Sequence, residues 1–271
     1  FSPNGRFLIS GSLDNSLILW NIESGKQIRS FSGHTDKLRS VVFSPDGKHI
    51  LTSSKDNTAK VFDISNGKLI HDIQLEINDL HGAYYSPEGS KILLVDGRDN
   101  LIVRDTKSGE LINKFKKNYA ATKERFLFSP DGNNILSKDG YKGLVIQEVK
   151  TADTLLFLEF DKSFKSSISP DGKTIVVSSN KLFTQLFDAQ TGKLKAELKD
   201  DNGERCDGCN MHHVVSNDGN YILTASNRTK PTLWSGNGKQ LRQFEIGEKT
   251  KTPINMKFNA TNDLVVVAFS G

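Results

Sequence analysis

Residues 43–73 read FSPDGKHILTSSKDNTAKVFDISNGKLIHDI, and three kinds of turn punctuate them. In Ser44-Pro45-Asp46-Gly47 the proline pre-sets φ, the aspartate tolerates turn geometry and the glycine supplies positive φ. The β-favouring run Val41-Val42-Phe43 leads into this turn, and His49-Ile50-Leu51-Thr52-Ser53 leads out of it. A polar turn, Lys55-Asp56-Asn57, precedes a third run from Ala59 to Ile64; Ser65-Asn66-Gly67 precedes a fourth, Leu69 to Ile73. The stretch therefore predicts short antiparallel strands joined by hairpin turns, four to a unit.

The phrase recurs. FSPNG stands at 1–5, YSPEG at 85–89, FSPDG at 128–132 and ISPDG at 168–172, with looser copies VSNDG at 215–219 and FNATND at 258–263. Successive starts are 42, 42, 43, 40, 47 and 43 residues apart, a period that only an internal repeat explains. A four-stranded unit with two apolar faces must stack on copies of itself, and radial stacking leaves only short protected edges. No window carries sustained helical periodicity with caps. The predicted fold class is thus all-β, a β-propeller of four-stranded antiparallel blades.

Three sets of residues give the repeat a family likeness. Gly33-His34, the turn Asp14-Asn15 and the strand ending Leu19-Trp20-Asn21 resemble the signatures of the WD-repeat family. The period extends the likeness over the whole chain, while the diagnostic residues concentrate in the first two copies. TolB-like propellers share S-P-D-G, and Gly33-His34 with the Trp20 strand tips the choice to the WD type. The resemblance implies a hydrogen-bond network of His, Ser or Thr, Asp and Trp within a blade. Residue by residue this gives His34, Thr52, Asp56 and Phe62 in the second copy, with Phe62 lacking the N–H a Trp would donate. The first copy offers Ser10, Asp14 and Trp20. The third keeps Asp99 but has Arg104 in place of Trp, and the fourth and fifth show no recognisable network. The sixth keeps Thr224 and Trp234 and replaces the acidic turn with Asn227-Arg228-Thr229.

Residues 1–271 read as one propeller piece: five complete blades over about 34–246, flanked by partial first and last blades. A seven-bladed parent follows from the seven marks, with a six-bladed ring as the alternative. The opening Phe1-Ser2-Pro3-Asn4-Gly5 falls inside a repeat, so the chain reads as part of a longer, multidomain protein.

Composition excludes several functions. Hydrophobic residues make up 36% and charged residues 25%, which is ordinary for a globular chain. The net charge of +4, from 36 basic and 32 acidic residues, permits an acidic partner without the dense basic stripe of a nucleic-acid binder. No apolar run is long enough to span a bilayer. Two cysteines form no disulfide framework, which favours an intracellular, cytoplasmic setting. There is no Gly-rich phosphate loop, no G-x-S-x-G elbow, no H-E-x-x-H pair and no loop of spaced carboxylates for calcium. No cofactor is expected. His34 beside Ser and Asp could suggest catalysis, but the repeat network accounts for those residue types.

The sharpest local feature is Cys206-Asp207-Gly208-Cys209 followed by His212 and His213, inside the 47-residue interval. Two thiolates and an imidazole could hold Zn²⁺. No second Cys-x-x-Cys exists, and a strand would send His212 and His213 to opposite faces. The plainer reading is a loop with two thiols and packed histidines; a metal site and a redox disulfide are the alternatives.

The leading functional expectation is a non-catalytic protein-interaction scaffold, the docking or sensing module of a larger protein. Partner-binding candidates are Lys37, Arg39, Lys55 and Arg98, joined by Lys116, Lys117, Lys123 and Arg125 on the way into the fourth copy. They would attract an acidic protein or peptide; the plain alternative is that they solvate turns. A propeller enzyme or TolB-like periplasmic propeller, and nucleic-acid binding through the basic rim, are the other readings. Small-molecule binding is not indicated.

Overall fold

The computed structural model describes residues 1–75, 80–97, 100–115, 126–139, 143–160, 164–179, 183–199, 212–245 and 253–269, and within them every regular element is a strand. Sheet one orders Phe7–Gly11, Leu17–Asn21 and Gln27–Phe31. Sheet two orders Leu38–Phe43, His49–Ser54, Thr58–Asp63 and Leu69–Gln74; sheet three orders Leu80–Tyr85, Lys91–Asp96, Leu101–Asp105 and Leu111–Phe115. Sheet four comprises Phe126–Phe128, Asn134–Asp139, Gly143–Glu148 and Thr154–Glu159. Sheet five orders Phe164–Ile168, Thr174–Ser179, Thr184–Asp188 and Leu194–Leu198, and sheet six His212–Val215, Tyr221–Ala225, Thr232–Ser235 and Gln240–Gln243. Pro253–Phe258 and Val265–Phe269 pair as a seventh sheet. The pairings in sheets one, two, five and six are antiparallel between sequence neighbours, as hairpin turns dictate.

The chain divides into two compact units: residues 1–135 with 147–153, and residues 136–146 with 154–271. Sheet four has residues in both. In the first unit, Ile9, Leu17, Leu19, Phe31, Ile50 and Phe62 form a core between sheets one and two. Leu51, Val61, Ile73, Leu80, Ile92 and Leu94 do the same between sheets two and three. In the second unit Val176, Leu186, Leu198, Ile222 and Trp234 fill the space between sheets five and six. Alternation along each strand explains this: Ile50 faces one neighbour and Leu51 the other.

The S-P-D-G turn works through its serine. Ser44 is buried; its hydroxyl donates to Asp46 Oδ1 at 2.6 Å and accepts from the His49 amide at 2.9 Å. The Gly47 amide returns to the Ser44 carbonyl at 2.9 Å with φ of 70°, a conformation that costs glycine little. Ser216-Asn217-Asp218-Gly219 lacks proline and makes the same bonds, at 2.6 Å to Asp218 and 2.9 Å from the Tyr221 amide. Proline is dispensable here; the serine hub is not replaced until Asn259, whose Oδ1 accepts from the Leu264 amide at 3.1 Å.

One register position per sheet faces the first strand of the next. In sheet two it is Ser53, 2.7 Å from Ser40, whose hydroxyl in turn accepts the Ala83 amide of sheet three at 3.0 Å. Sheet one has Gly11 there, and a Cβ would come within 3.0 Å of Leu38 Cδ1, so the bare backbone sets the close approach. Sheet four has Lys138, which donates to the Phe164 carbonyl and lies 4.5 Å over the Phe164 ring. Sheet five has Ser178, 2.7 Å from His213 of sheet six.

Candidate functional site

His34 precedes sheet two and its ring is buried there. Its Nδ1 lies 2.9 Å from Asp56 Oδ2 and its Nε2 2.7 Å from Thr52 Oγ1. Asp56 sits in the turn after the second strand, where Asn57 takes a φ of 64°. The carboxylate also accepts the Thr35 amide at 2.9 Å, the Thr58 amide at 2.9 Å and the Thr58 hydroxyl at 2.7 Å. Burial alone would raise the Asp56 carboxyl, but the Thr58 hydroxyl, the Thr35 amide and His34 outweigh it and bring the pKa down to about 2. Burial pushes the His34 imidazole down, and Asp56 opposes that only in part. The ionised carboxylate can only accept, so Nδ1 carries the proton and the neutral ring takes the Thr52 hydroxyl at Nε2. Phe62 packs 5.4 Å from Phe31, centroid to centroid. Phe62 offers the Thr52 hydroxyl no indole N–H to accept, and that hydroxyl lies 3.2 Å from the Lys60 carbonyl as well as 2.7 Å from His34 Nε2. Thr58 is a member that sequence reading missed; its signal was a hydroxyl two residues after a turn aspartate.

In sheet one Trp20 Nε1 donates to Ser10 Oγ at 2.8 Å in an exposed setting. Asp14 is exposed and accepts the Ser16 amide at 3.0 Å; hydrogen bonds from the Ser16 hydroxyl and amide hold its carboxyl at about 2. Asn15 links the sheets by donating to the His34 carbonyl at 3.0 Å. In sheet six Trp234 Nε1 donates to Thr224 Oγ1 at 2.8 Å, fully buried.

The basic candidates Lys37, Arg39 and Lys55 are all exposed. The Lys55 amide donates to the Lys37 carbonyl at 2.9 Å, which brings the two lysines together across 18 residues of sequence. Arg39 is the extra residue of a β-bulge, since Leu38 pairs with Ser54 and Ser40 with Ser53. His81 occupies the same bulge in sheet three, between Leu80↔Asp96 and Gly82↔Val95, and is exposed as well. A bulge re-aims the side chain it carries, so two adjacent sheets present a basic group at one register. Sequence reading missed His81 because bulges leave no turn signature. Arg98, Asp99 and residues 116–125 lie outside the described residues.

Cys206 and Cys209 also lie outside them. His212 and His213 open sheet six, paired with Ala225 and Thr224. Lys165 Nζ is 2.9 Å from His212 Nδ1. His213 Nδ1 is 2.7 Å from Ser178 Oγ and Nε2 2.8 Å from Ser167 Oγ, while Ser178 is 2.6 Å from Thr184 Oγ1. Both ring nitrogens of His213 are thus taken by hydroxyls. Burial, with Lys165 and His212 nearby, pushes its pKa down to about 3. Among the described residues no group of three His, Cys, Asp or Glu side chains is placed to hold a metal ion. No helix there is long and apolar enough to cross a membrane.

The profile of the WD domain, G-beta repeat, matches residues 1–21 and 25–63, the stretch that contains both the Trp20 strand and the His34–Asp56 network. Over those residues the chain is similar to the WD-repeat family. A 43-residue stretch is 46% identical to meiotic recombination protein rec14 of Schizosaccharomyces pombe, covering 16% of this chain and 14% of that protein. Over 99% of the chain the fold is similar to the crystal structure of the Cps50 (Swd1) β-propeller domain of Myceliophteria thermophila, at 16% identity, a TM-score of 0.62 and 92% coverage of that domain. The fold is therefore a β-propeller. WD-repeat propellers are typically protein-interaction scaffolds that bind proteins or peptides and are generally non-catalytic.

Proposed function

We propose that this WD-repeat chain is a non-catalytic docking scaffold and that the surface around Lys37, Lys55 and Arg39 takes an acidic peptide segment of a partner protein. The observation that supports the reading is the backbone bond from Lys55 to Lys37, which holds two exposed lysines opposite each other at the end of a sheet. The bulges add Arg39 and His81 at matching positions. The side chains of Lys37 and Lys55 stand outside the His34 network. Complementary charge of this kind chiefly raises association rate and selects partners.

The test uses a fluorescein-labelled Glu/Asp-rich peptide and a single-stranded oligonucleotide of equal charge. The Lys37→Glu, Lys55→Glu double variant should bind the peptide at least tenfold more weakly while unfolding at the same temperature. Unchanged affinity removes this surface. Preferential oligonucleotide binding with a steep salt dependence would replace the peptide reading with a nucleic-acid one.

A further inference from the structure

The last strand of a sheet is an edge, and in sheet four that edge carries side chains unlike the others. A backbone bond closes the turn before each of these strands and sets a common register. It runs, for example, from the Asp63 amide to the Lys68 carbonyl and from the Glu148 amide to the Asp153 carbonyl, both at 2.9 Å. Four residues beyond that carbonyl stand Ser30, Asp72, Lys114, Glu197 and Gln243 in sheets one, two, three, five and six. Asp72 lies 2.6 Å from Lys60 and Glu197 accepts from Gln185 at 3.0 Å, so two of these polar groups are bound within their own sheets. Sheet four has Phe157 there, 46% exposed.

The strand Thr154–Glu159 also lacks a charge in its interior. Arg29, Asp72, Lys114, Lys195 and Arg242 mark the last strands of the other five four-stranded or three-stranded sheets, whereas Leu155-Leu156-Phe157-Leu158 is wholly apolar. Exposed and half-buried residues alternate along it: Leu155, Phe157 and Glu159 share the open face, while Leu156 and Leu158 pack against the core between sheets four and five. Leu155 is 55% exposed. The strand ends the order of sheet four, so alternate N–H and C=O groups point away from the sheet with no described strand beyond them. Charged side chains are the common guard on such a row, and an apolar edge is open to pairing with another chain.

We propose that this edge takes an extended segment of a partner protein as an added antiparallel strand, one whose alternate side chains read basic, apolar, apolar. Its backbone pairs with the outward groups, its apolar side chains cover Phe157 and Leu155, and its basic side chain meets Glu159. A second copy of this chain fits less well, because antiparallel self-pairing centred on Phe157 sets each Glu159 carboxylate against a Leu155. The proposal does not depend on the reading of Lys37 and Lys55.

The probe is the acetylated, amidated peptide Thr-Lys-Thr-Val-Thr-Val-Thr, read by hydrogen exchange of the amides in 154–159. Saturating peptide should slow exchange there at least tenfold. The same peptide with its five central amides N-methylated should give no protection, which separates strand addition from apolar contact alone. Its Glu-for-Lys form should bind at least tenfold more weakly. Phe157→Lys, which gives sheet four the side chain sheet three has at Lys114, should weaken binding at least tenfold. Leu155→Lys carries the test if Phe157→Lys misfolds by circular dichroism. No saturable protection, equal binding of the N-methylated or Glu-bearing peptide, or full affinity in a folded variant overturns the proposal. A dimer in sedimentation that Phe157→Lys dissolves would overturn it too, by placing a second copy on this edge.

Discussion

His34 and His213 are both imidazoles with two hydrogen-bonded ring nitrogens, and they are held by opposite chemistry. His34 has a carboxylate at 2.9 Å and a hydroxyl at 2.7 Å; His213 has hydroxyls at 2.7 and 2.8 Å and no counter-charge among its bonded partners. A proton arriving at His34 meets Asp56. One arriving at His213 meets Lys165, which lies 2.9 Å from His212. The two also do different mechanical work. His34 ties a connecting segment to its own sheet, whereas His213 ties sheet six to sheet five. Equal hydrogen-bond satisfaction thus coexists with unequal electrostatics, and the two should separate under mutation and acid.

The largest separation is expected at the hydrogen-bond acceptors. Asp56→Ala strips the acceptor from the Thr35 amide, the Thr58 amide and hydroxyl, and His34. Removing one buried charged partner from such a set costs about 3–5 kcal/mol. Ser178→Ala removes neutral bonds only, to His213 and Thr184, and should cost about 1–2 kcal/mol. Urea unfolding of both variants measures the difference; equal losses would erase the distinction between the two histidines.

Acid should act in the reverse order. His213 sits at about 3 in the folded chain, against roughly 6.5 unfolded. Its folded pKa is depressed, so the unfolded state binds the proton first and stability falls as pH drops below about 6.5, continuing toward 3. At pH 5 the loss from this one group is about 2 kcal/mol relative to neutral pH. His34 is lowered too, and loses stability in the same direction, but Asp56 offsets the burial. The Asp56 carboxyl, held at about 2, gives up its contribution only as pH falls from about 4 through 2. The gap between urea midpoints at pH 5 and 7.5 should therefore narrow more in His213→Gln than in His34→Gln. A greater narrowing in His34→Gln instead would mean the carboxylate does not protect its ring.

These histidines also mark what the sequence could disclose. His34, Thr52 and Asp56 were legible because a repeat network has fixed spacing within one blade, and the turn at Asp56 announces itself. His213 was not. Its partners, Ser167 and Ser178, lie 46 and 35 residues away on another sheet, and their meeting depends on which face of a first strand looks at its neighbour. The strands themselves were legible from turn chemistry, although the buried serine of S-P-D-G carries more of that turn than the proline does. Bulges at Arg39 and His81 escaped because an extra residue in a strand changes register without changing composition.

The smallest effect tests whether burial, rather than bond length, sets the worth of the indole bonds. Trp20 and Trp234 each donate at 2.8 Å to a hydroxyl ten residues earlier. Ser10 is exposed, so water replaces the donor when Trp20→Phe removes it, and about 0.5 kcal/mol or less should be lost through the bond. Thr224 and Trp234 are 5% and 4% exposed, so Trp234→Phe strands a hydroxyl where water does not reach and should cost about 1–2 kcal/mol more. The indole-to-phenyl change in size confounds each single variant. Double-mutant cycles remove it: Thr224→Val with Trp234→Phe should show a coupling near 1 kcal/mol, and Ser10→Ala with Trp20→Phe a coupling near zero. Equal couplings would mean that the exposed pair is as well shielded as the buried one, and that the first sheet is held by the same network strength as the sixth.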